Sequence, residues 1–191
     1  DVQQPQQLDA LFAQITQRWG KLDFVLHAIA FAPAADLHGR VIDCSAAGFA
    51  QAMDVSCHSF IRLTKAAEPL MKDGGALATM TYYGAQKVIP HYGMMGPVKA
   101  ALESTVRYLA DELGPKGIRV HAVSPGPIMT RAASGIGEFE SLLDEAARRA
   151  PQHQLVTIRD VGVTTAMLFG DAARSLTGNV AFVDGGYHVM G

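Results

Sequence analysis

Short apolar runs alternate along this chain with longer amphipathic stretches, and that alternation limits the fold more than any single residue. Leu8, Leu11, Phe12, Ile15 and Trp19 recur at helical spacing, with Pro5 placed for a first turn and Gly20 for the end. Residues 23–30 (DFVLHAIA) then read as a buried strand. Residues 46–71 read as helical and apolar over much of their circumference, ending at Gly74-Gly75. A second strand follows over 76–82 and a long helix over 94–113, with Met95, Val98, Leu102, Val106, Leu109 and Leu113 on one face. Residues 118–123 form a third strand, 138–150 a helix, Thr157 caps another helix to about 169, and 180–183 form the last strand. Helices between short apolar strands mean parallel strands joined by helical crossovers. The expected class is α/β, a doubly wound parallel sheet of the Rossmann type with both faces covered. Ligands in such sheets bind at the carboxyl ends of the strands. The loops to inspect are therefore 30–45, 82–93, 124–137 and 184–191.

Composition narrows the partners. The 191 residues fit one domain, and only 18% are charged against 49% hydrophobic. The net charge of −2 is scattered, so no footprint for nucleic acid or an anionic membrane surface is expected. The longest apolar run, 24–35, is broken by His27 and Pro33 and is too short to span a membrane. Cys44 and Cys57 form no metal or redox motif and read as free thiols of a cytoplasmic protein. The seven histidines contain no His-x-x-x-His pair, so no metal site is expected.

Two tyrosine–lysine pairs compete as the chemical centre. Tyr83-x-x-x-Lys87 needs a helix beneath it, but Pro90 biases Ile89 away from helix. Tyr92 and Lys99 flank the start of the 94–113 helix, where Pro97 is tolerated only in the first turn. Seven residues are two turns, so the pair shares a face about 10 Å apart along the axis. Helical side chains lean toward the N-terminus, so Lys99 reaches back toward Tyr92. A ribose fits between them.

That pair sits among further motifs. HAIAFAP over 27–33, the stretch 82–99, GPIMTRAASGI over 126–136 and Val183-Asp184-Gly185-Gly186 together resemble the NADH-dependent enoyl-acyl-carrier-protein reductases of bacterial fatty-acid synthesis. These are a divergent branch of the short-chain dehydrogenase/reductase superfamily, and the resemblance runs over essentially the whole chain. It implies that Tyr92 hydrogen-bonds a thioester carbonyl as an enolate forms. Lys99 then holds the ribose hydroxyls of the nicotinamide and favours a more acidic tyrosine. Tyr82 matches the second active-site tyrosine. Ile29 and the segment Ile128, Met129, Thr130, Arg131 and Ala132 are expected on the nicotinamide and pyrophosphate. Asp1 and Val2 are expected beside the adenine, and Ala32 is expected to offer backbone to the substrate. The implied cofactor is NADH, with NADPH also admitted. The implied partner is an enoyl thioester on acyl carrier protein, and the implied assembly is a homotetramer. Three positions depart from the family pattern: Ala30 for a common glycine, Tyr83 for an aliphatic residue, and Met129 for a residue that is often basic.

A dinucleotide fold opens with a strand, a Gly-rich turn and a helix. No such turn follows a strand here, so the resemblance implies about 60 residues, three strands and two helices, ahead of Asp1. The chain is thus expected as one catalytic domain without its Gly-rich βαβ unit, leaving the 23–30 strand with a bare edge. Two other readings are a short-chain carbonyl reductase or alcohol dehydrogenase, and a non-catalytic dinucleotide-binding protein. The first needs a serine about 12 residues before a Tyr-x-x-x-Lys, an arrangement not found; the second leaves Tyr82, Tyr92 and Lys99 without a purpose.

Overall fold

The computed structural model describes residues 1–128 and 139–190. Four parallel strands, β1 (Phe24–His27), β2 (Gly75–Met80), β3 (Ile118–Pro125) and β4 (Val180–Val183), lie side by side in chain order. Chain order in a parallel sheet requires a crossover between each pair of strands, and helices supply them. On one face, α1 (Pro5–Trp19), α4 (Ser59–Ala67) and α5 (Met95–Leu113) pack Leu8, Phe12, Phe60, Leu63, Leu102 and Val106 onto Leu77 and Val120. On the other, α7 (Ile158–Phe169) sets Leu168 against Val123 and Ala173. The sheet is doubly wound, as the alternation required. Two short helices, α2 (Ala34–Leu37) and α3 (Ala46–Met53), follow β1, and α6 (Phe139–Arg149) precedes α7. Thr157 caps α7 in a reciprocal box with Asp160.

Three boundaries differ from expectation for physical reasons. β1 stops at His27, and residues 28–33 leave the sheet, where Phe31 takes its hydrogen bonds from Ser56 and not from a strand. The helix expected over 46–71 is interrupted by a wide turn at Asp54–His58, in which the Ser59 N–H donates to Asp54 five residues back. β3 runs on to Pro125, which pairs with Val183 at the sheet edge. β1 is an edge strand, with Phe24 and Leu26 turned to the α7 face at 56% and 44% exposure. Phe24 finds one partner there, stacking on Phe169 with ring centroids 4.7 Å apart.

A buried histidine ties the sheet to this helix. His27 is 1% exposed, with Nδ1 2.8 Å from Thr79 Oγ1 on β2 and Nε2 2.7 Å from Ser59 Oγ on α4. The Ser59 hydroxyl donates to the Val55 carbonyl at 2.6 Å, replacing the backbone donor that the wide turn removes. That oxygen therefore accepts from Nε2–H. The one Thr79 proton lies 2.8 Å from Nδ1 and 3.3 Å from the His27 carbonyl by its oxygen, and given to the nearer Nδ1 it leaves the ring neutral. Burial agrees, bringing the His27 pKa down to about 4, with the Lys99 charge adding to the effect. Because the unfolded ring takes a proton near 6.5 and the folded one only near 4, the unfolded state binds more protons between them. Stability therefore falls on acidification through this window. Going from pH 7 to pH 5 costs about 2 kcal/mol through this residue. Denaturant midpoints over that range should fall more steeply for the wild type than for His27→Gln.

Candidate active site

Past the ends of β1, β2 and β3, the carboxyl edge of the sheet carries six of the twelve expected site residues. Tyr82 follows β2, Ile29 and Ala32 follow β1, and Ile128 follows β3; Ile29, Ala32 and Ile128 are half-buried. Lys99 comes in from α5, but Tyr92 lies in the turn ahead of it, cut off from the helix by the left-handed Gly93, so the two do not share a helix face two turns apart as expected. Met129, Thr130, Arg131 and Ala132 lie outside the described residues. Asp1 is exposed and Val2 half-buried on the turn before α1. That turn is joined to the wide turn by Gln3 Nε2, 3.3 Å from Asp54 Oδ2.

Local sequence explains how Tyr92 is presented. His91 and Gly93, its two neighbours, both hold left-handed backbone, with φ of 62° and 55°. For a histidine that conformation is uncommon and is retained where the surroundings impose it. The Tyr92 ring lies against Gly84, where a Cβ would stand 2.4 Å from Cδ1 of the ring, so only glycine allows this approach. Pro97 sits within the first turn of α5, as its missing N–H requires. Tyr82 and Tyr92 meet edge to face with centroids 4.9 Å apart.

Lys99 is 5% exposed, and its ammonium donates to the Met80 carbonyl at 2.7 Å, at the very end of β2. Among the described residues no carboxylate pairs with it. Desolvation brings its pKa down to about 8, against the supporting charge of the Glu103 carboxylate. Glu103, one turn further along α5 and 4% exposed, accepts from Thr81 Oγ1 at 2.8 Å and Gln86 Nε2 at 2.9 Å. Both tyrosines are pushed well above the ordinary phenol range, chiefly by burial; Tyr187 adds to this at Tyr82, and Tyr82 and Glu103 add to it at Tyr92. The expectation that Lys99 renders Tyr92 more acidic is therefore corrected: loss of water dominates, and Tyr92 stays a protonated donor.

The other tyrosine–lysine pair separates. Tyr83 begins a short turn, Tyr83–Ala85, and Lys87 is exposed beyond it. Tyr83 is structural: its hydroxyl donates to the His188 carbonyl at 3.0 Å and its ring packs edge-on to Phe182 and Tyr187. Sequence reasoning missed Gly84, Glu103 and Ser124. Ser124 is buried at the end of β3, and among the described residues its hydroxyl lacks a partner, as does the buried hydroxyl of Tyr82. Unpartnered donors and an unpaired ammonium at one strand edge suit a ligand rich in hydroxyls and carbonyls.

The model of the family described as enoyl-(acyl carrier protein) reductase matches residues 1–188. The chain belongs to this family. It is 50% identical over 184 residues to an enoyl-acyl-carrier-protein reductase [NADH] of Rhizobium meliloti, covering 96% of this chain and 68% of that one. A Rickettsia felis protein of the same description is 46% identical, with 100% and 74% covered. Among solved structures, the Bacillus cereus enoyl-acyl carrier protein reductase with NADP+ and indole naphthyridinone superposes with a TM-score of 0.98 at 43% identity, covering 100% of this chain and 74% of that one. The Aquifex aeolicus enoyl-acyl-carrier-protein reductase (NADH) gives 0.96 at 46% identity, covering 100% and 75%. The resemblance read from the motifs is met, and the parallel sheet with it.

A buried hydroxyl without a partner costs stability that its removal restores. Tyr82→Phe is expected to raise the stability of the ligand-free protein by about 1 kcal/mol, read as a higher denaturant midpoint. A lower midpoint would mean that the hydroxyl is satisfied after all.

Proposed function

We propose that this enzyme reduces the carbon–carbon double bond of a trans-2-enoyl thioester, carried on acyl carrier protein, in fatty-acid biosynthesis. The observation that carries the proposal is the setting of Tyr82, Tyr92 and Lys99 at one strand edge, in a chain that the family model matches over residues 1–188. NADH is the proposed cofactor, after the relatives' descriptions, with NADPH admitted by the Bacillus cereus complex. When bound, it would supply the hydride that reaches the β-carbon, and a proton then goes to the α-carbon of the enolate to complete the saturated thioester.

The residues do the rest. Tyr92, kept protonated by burial, donates to the thioester oxygen as negative charge builds there. A fixed donor in a dry site stabilises an enolate without reorganising at the moment of reaction. Lys99 has two N–H bonds beyond the one to Met80 and holds the ribose hydroxyls with them. Tyr82 walls the pocket beside Tyr92 and offers its free hydroxyl. Ile29 and the 128–132 segment border the nicotinamide and pyrophosphate, Asp1 and Val2 the adenine, and Ala32 the acyl chain. A homotetramer working in the cytoplasm completes the proposal; Tyr108, 71% exposed on α5, suits a subunit contact there.

Carbonyl reduction is disfavoured by one detail. Thr79 and Thr81, the two hydroxyl residues on either side of the position where a ketone-reducing serine would be sought, are engaged with His27 and Glu103. Oxidation of NADH is therefore expected with a trans-2-enoyl thioester and not with a 3-ketoacyl thioester; turnover of the ketone alone would overturn the proposal. Tyr92→Phe and Lys99→Ala should each lower kcat/KM at least ~10-fold. The Lys99 charge also sets a pH dependence. Desolvation opposes the ammonium and the Glu103 carboxylate favours it, with its proton leaving near 8. The dissociation constant for NADH should thus be flat at neutral pH and rise above about 8, and Lys99→Met should bind weakly without that inflection.

A further inference from the structure

The wide turn at Asp54–His58 interrupts a helix that has no proline within the turn to break it. Such turns concentrate at functional sites, and this one buries three consecutive side chains, Val55, Ser56 and Cys57, which an amphipathic α-turn does not do. Of the three, Ser56 is 0% exposed and is turned to the segment that leaves β1. Its hydroxyl oxygen accepts from the Phe31 N–H at 2.9 Å and donates to the Phe31 carbonyl at 3.0 Å. One side chain thus satisfies both backbone groups of a residue that has no strand beside it. Phe31 itself is not what is held, since its ring is 46% exposed. The backbone is held, two residues after Ile29 and one before Ala32.

We infer that Ser56 is a positioning residue for the reduction: by clamping the Phe31 peptide it fixes where Ile29 meets the cofactor and where Ala32 meets the acyl thioester. The inference rests on the site assignment of the preceding section, which places those two residues at the ligands. An alanine at 56 leaves both Phe31 groups without their partner in a half-buried place and frees the segment to shift. Displacement by about 1 Å in a reacting geometry can cost on the order of 100-fold in rate.

The test compares Ser56→Ala and Ser56→Cys with Thr79→Val in the intact enzyme. Thr79→Val removes buried hydrogen bonds to His27, at its ring and at its carbonyl, and so loosens the same wall through Ser59, but it leaves the Ser56–Phe31 pair itself in place. Amide exchange of the cofactor-free protein is read first. The Phe31 amide should be protected in the wild type, exchange at least ~10-fold faster in Ser56→Ala, and stay within about threefold in Thr79→Val. Steady-state turnover of an enoyl thioester should then show kcat reduced at least ~10-fold in Ser56→Ala. Thr79→Val should stay within about threefold in kcat, and Ser56→Cys, a weaker donor and acceptor, should fall between. The inference fails if the wild-type Phe31 amide exchanges like an exposed loop, a measurement that needs no variant to fold. It fails equally if Ser56→Ala keeps its kcat, or if Thr79→Val loses as much. Tyr92→Phe in the same assay separates the two levels. Unchanged kcat there, beside a deprotected Phe31 in Ser56→Ala, would overturn the site assignment and with it the positioning role.

Discussion

A buried ammonium ion with no carboxylate against it is an expensive thing for a fold to hold, and the architecture around Lys99 is arranged to hold it. The Met80 carbonyl takes one proton directly. Glu103 supports the charge from one turn away, but its two oxygens are spent on Thr81 and Gln86. Those two bonds lie on either side of the Tyr82–Ala85 stretch. The carboxylate therefore anchors the strand end and its turn to α5 while stopping short of an ion pair. A direct pair would satisfy the ammonium and leave it nothing for a sugar. Because the carboxylate is engaged elsewhere, the cation keeps free donors and an unsettled charge, which bound hydroxyls can meet.

Everything that presents Tyr92 hangs on the same contact. The turn pinned by Glu103 carries Gly84, and the Tyr92 ring lies on it. The left-handed pair His91 and Gly93 then brings the chain from that ring into the first turn of α5, which carries Lys99 back under the strand. Opposite this wall stands the one made by the wide turn, with Ser56 on Phe31 and, through Ser59, the neutral His27. Both walls use the same device: a side chain on a rigid helix satisfies the backbone of a strand end, so a loop is positioned with helix precision.

Much of this was legible in the chain, and the limits are physical. Strand and helix order follows from the spacing of apolar residues, because burial of one face is what the sequence must encode. The choice of Tyr92 and Lys99 over Tyr83 and Lys87 follows from Pro90 and Pro97, whose backbone constraints act locally. Tyr83, Ser56 and Glu103 are different. Their partners, His188, Phe31 and Thr81, are 105, 25 and 22 residues away, and no local rule reports a hydrogen bond across such distances. The wide turn is equally silent. Residues 54–58 (DVSCH) have no proline or glycine to announce a break, and the turn is held by local bonds from Ser59 and Arg62 together with the tertiary one from Ser56 to Phe31.

The acidity of Tyr92 is where sequence reasoning and structure diverge most usefully. A cation two turns away suggests an activated phenol, yet Tyr92 is 8% exposed and burial carries its pKa upward. For carbonyl chemistry run in the direction of alcohol oxidation, that would be a defect, since a phenolate base is wanted. For reduction of an enoyl thioester it is an asset. The oxygen that gains charge needs a proton held toward it and not removed, and a phenol that resists ionisation donates at every working pH. The same dryness lowers the Lys99 pKa, so the two shifts have one cause and opposite uses. Water is excluded around both, so the phenol keeps its proton while the ammonium holds the Met80 carbonyl and no carboxylate among the described residues.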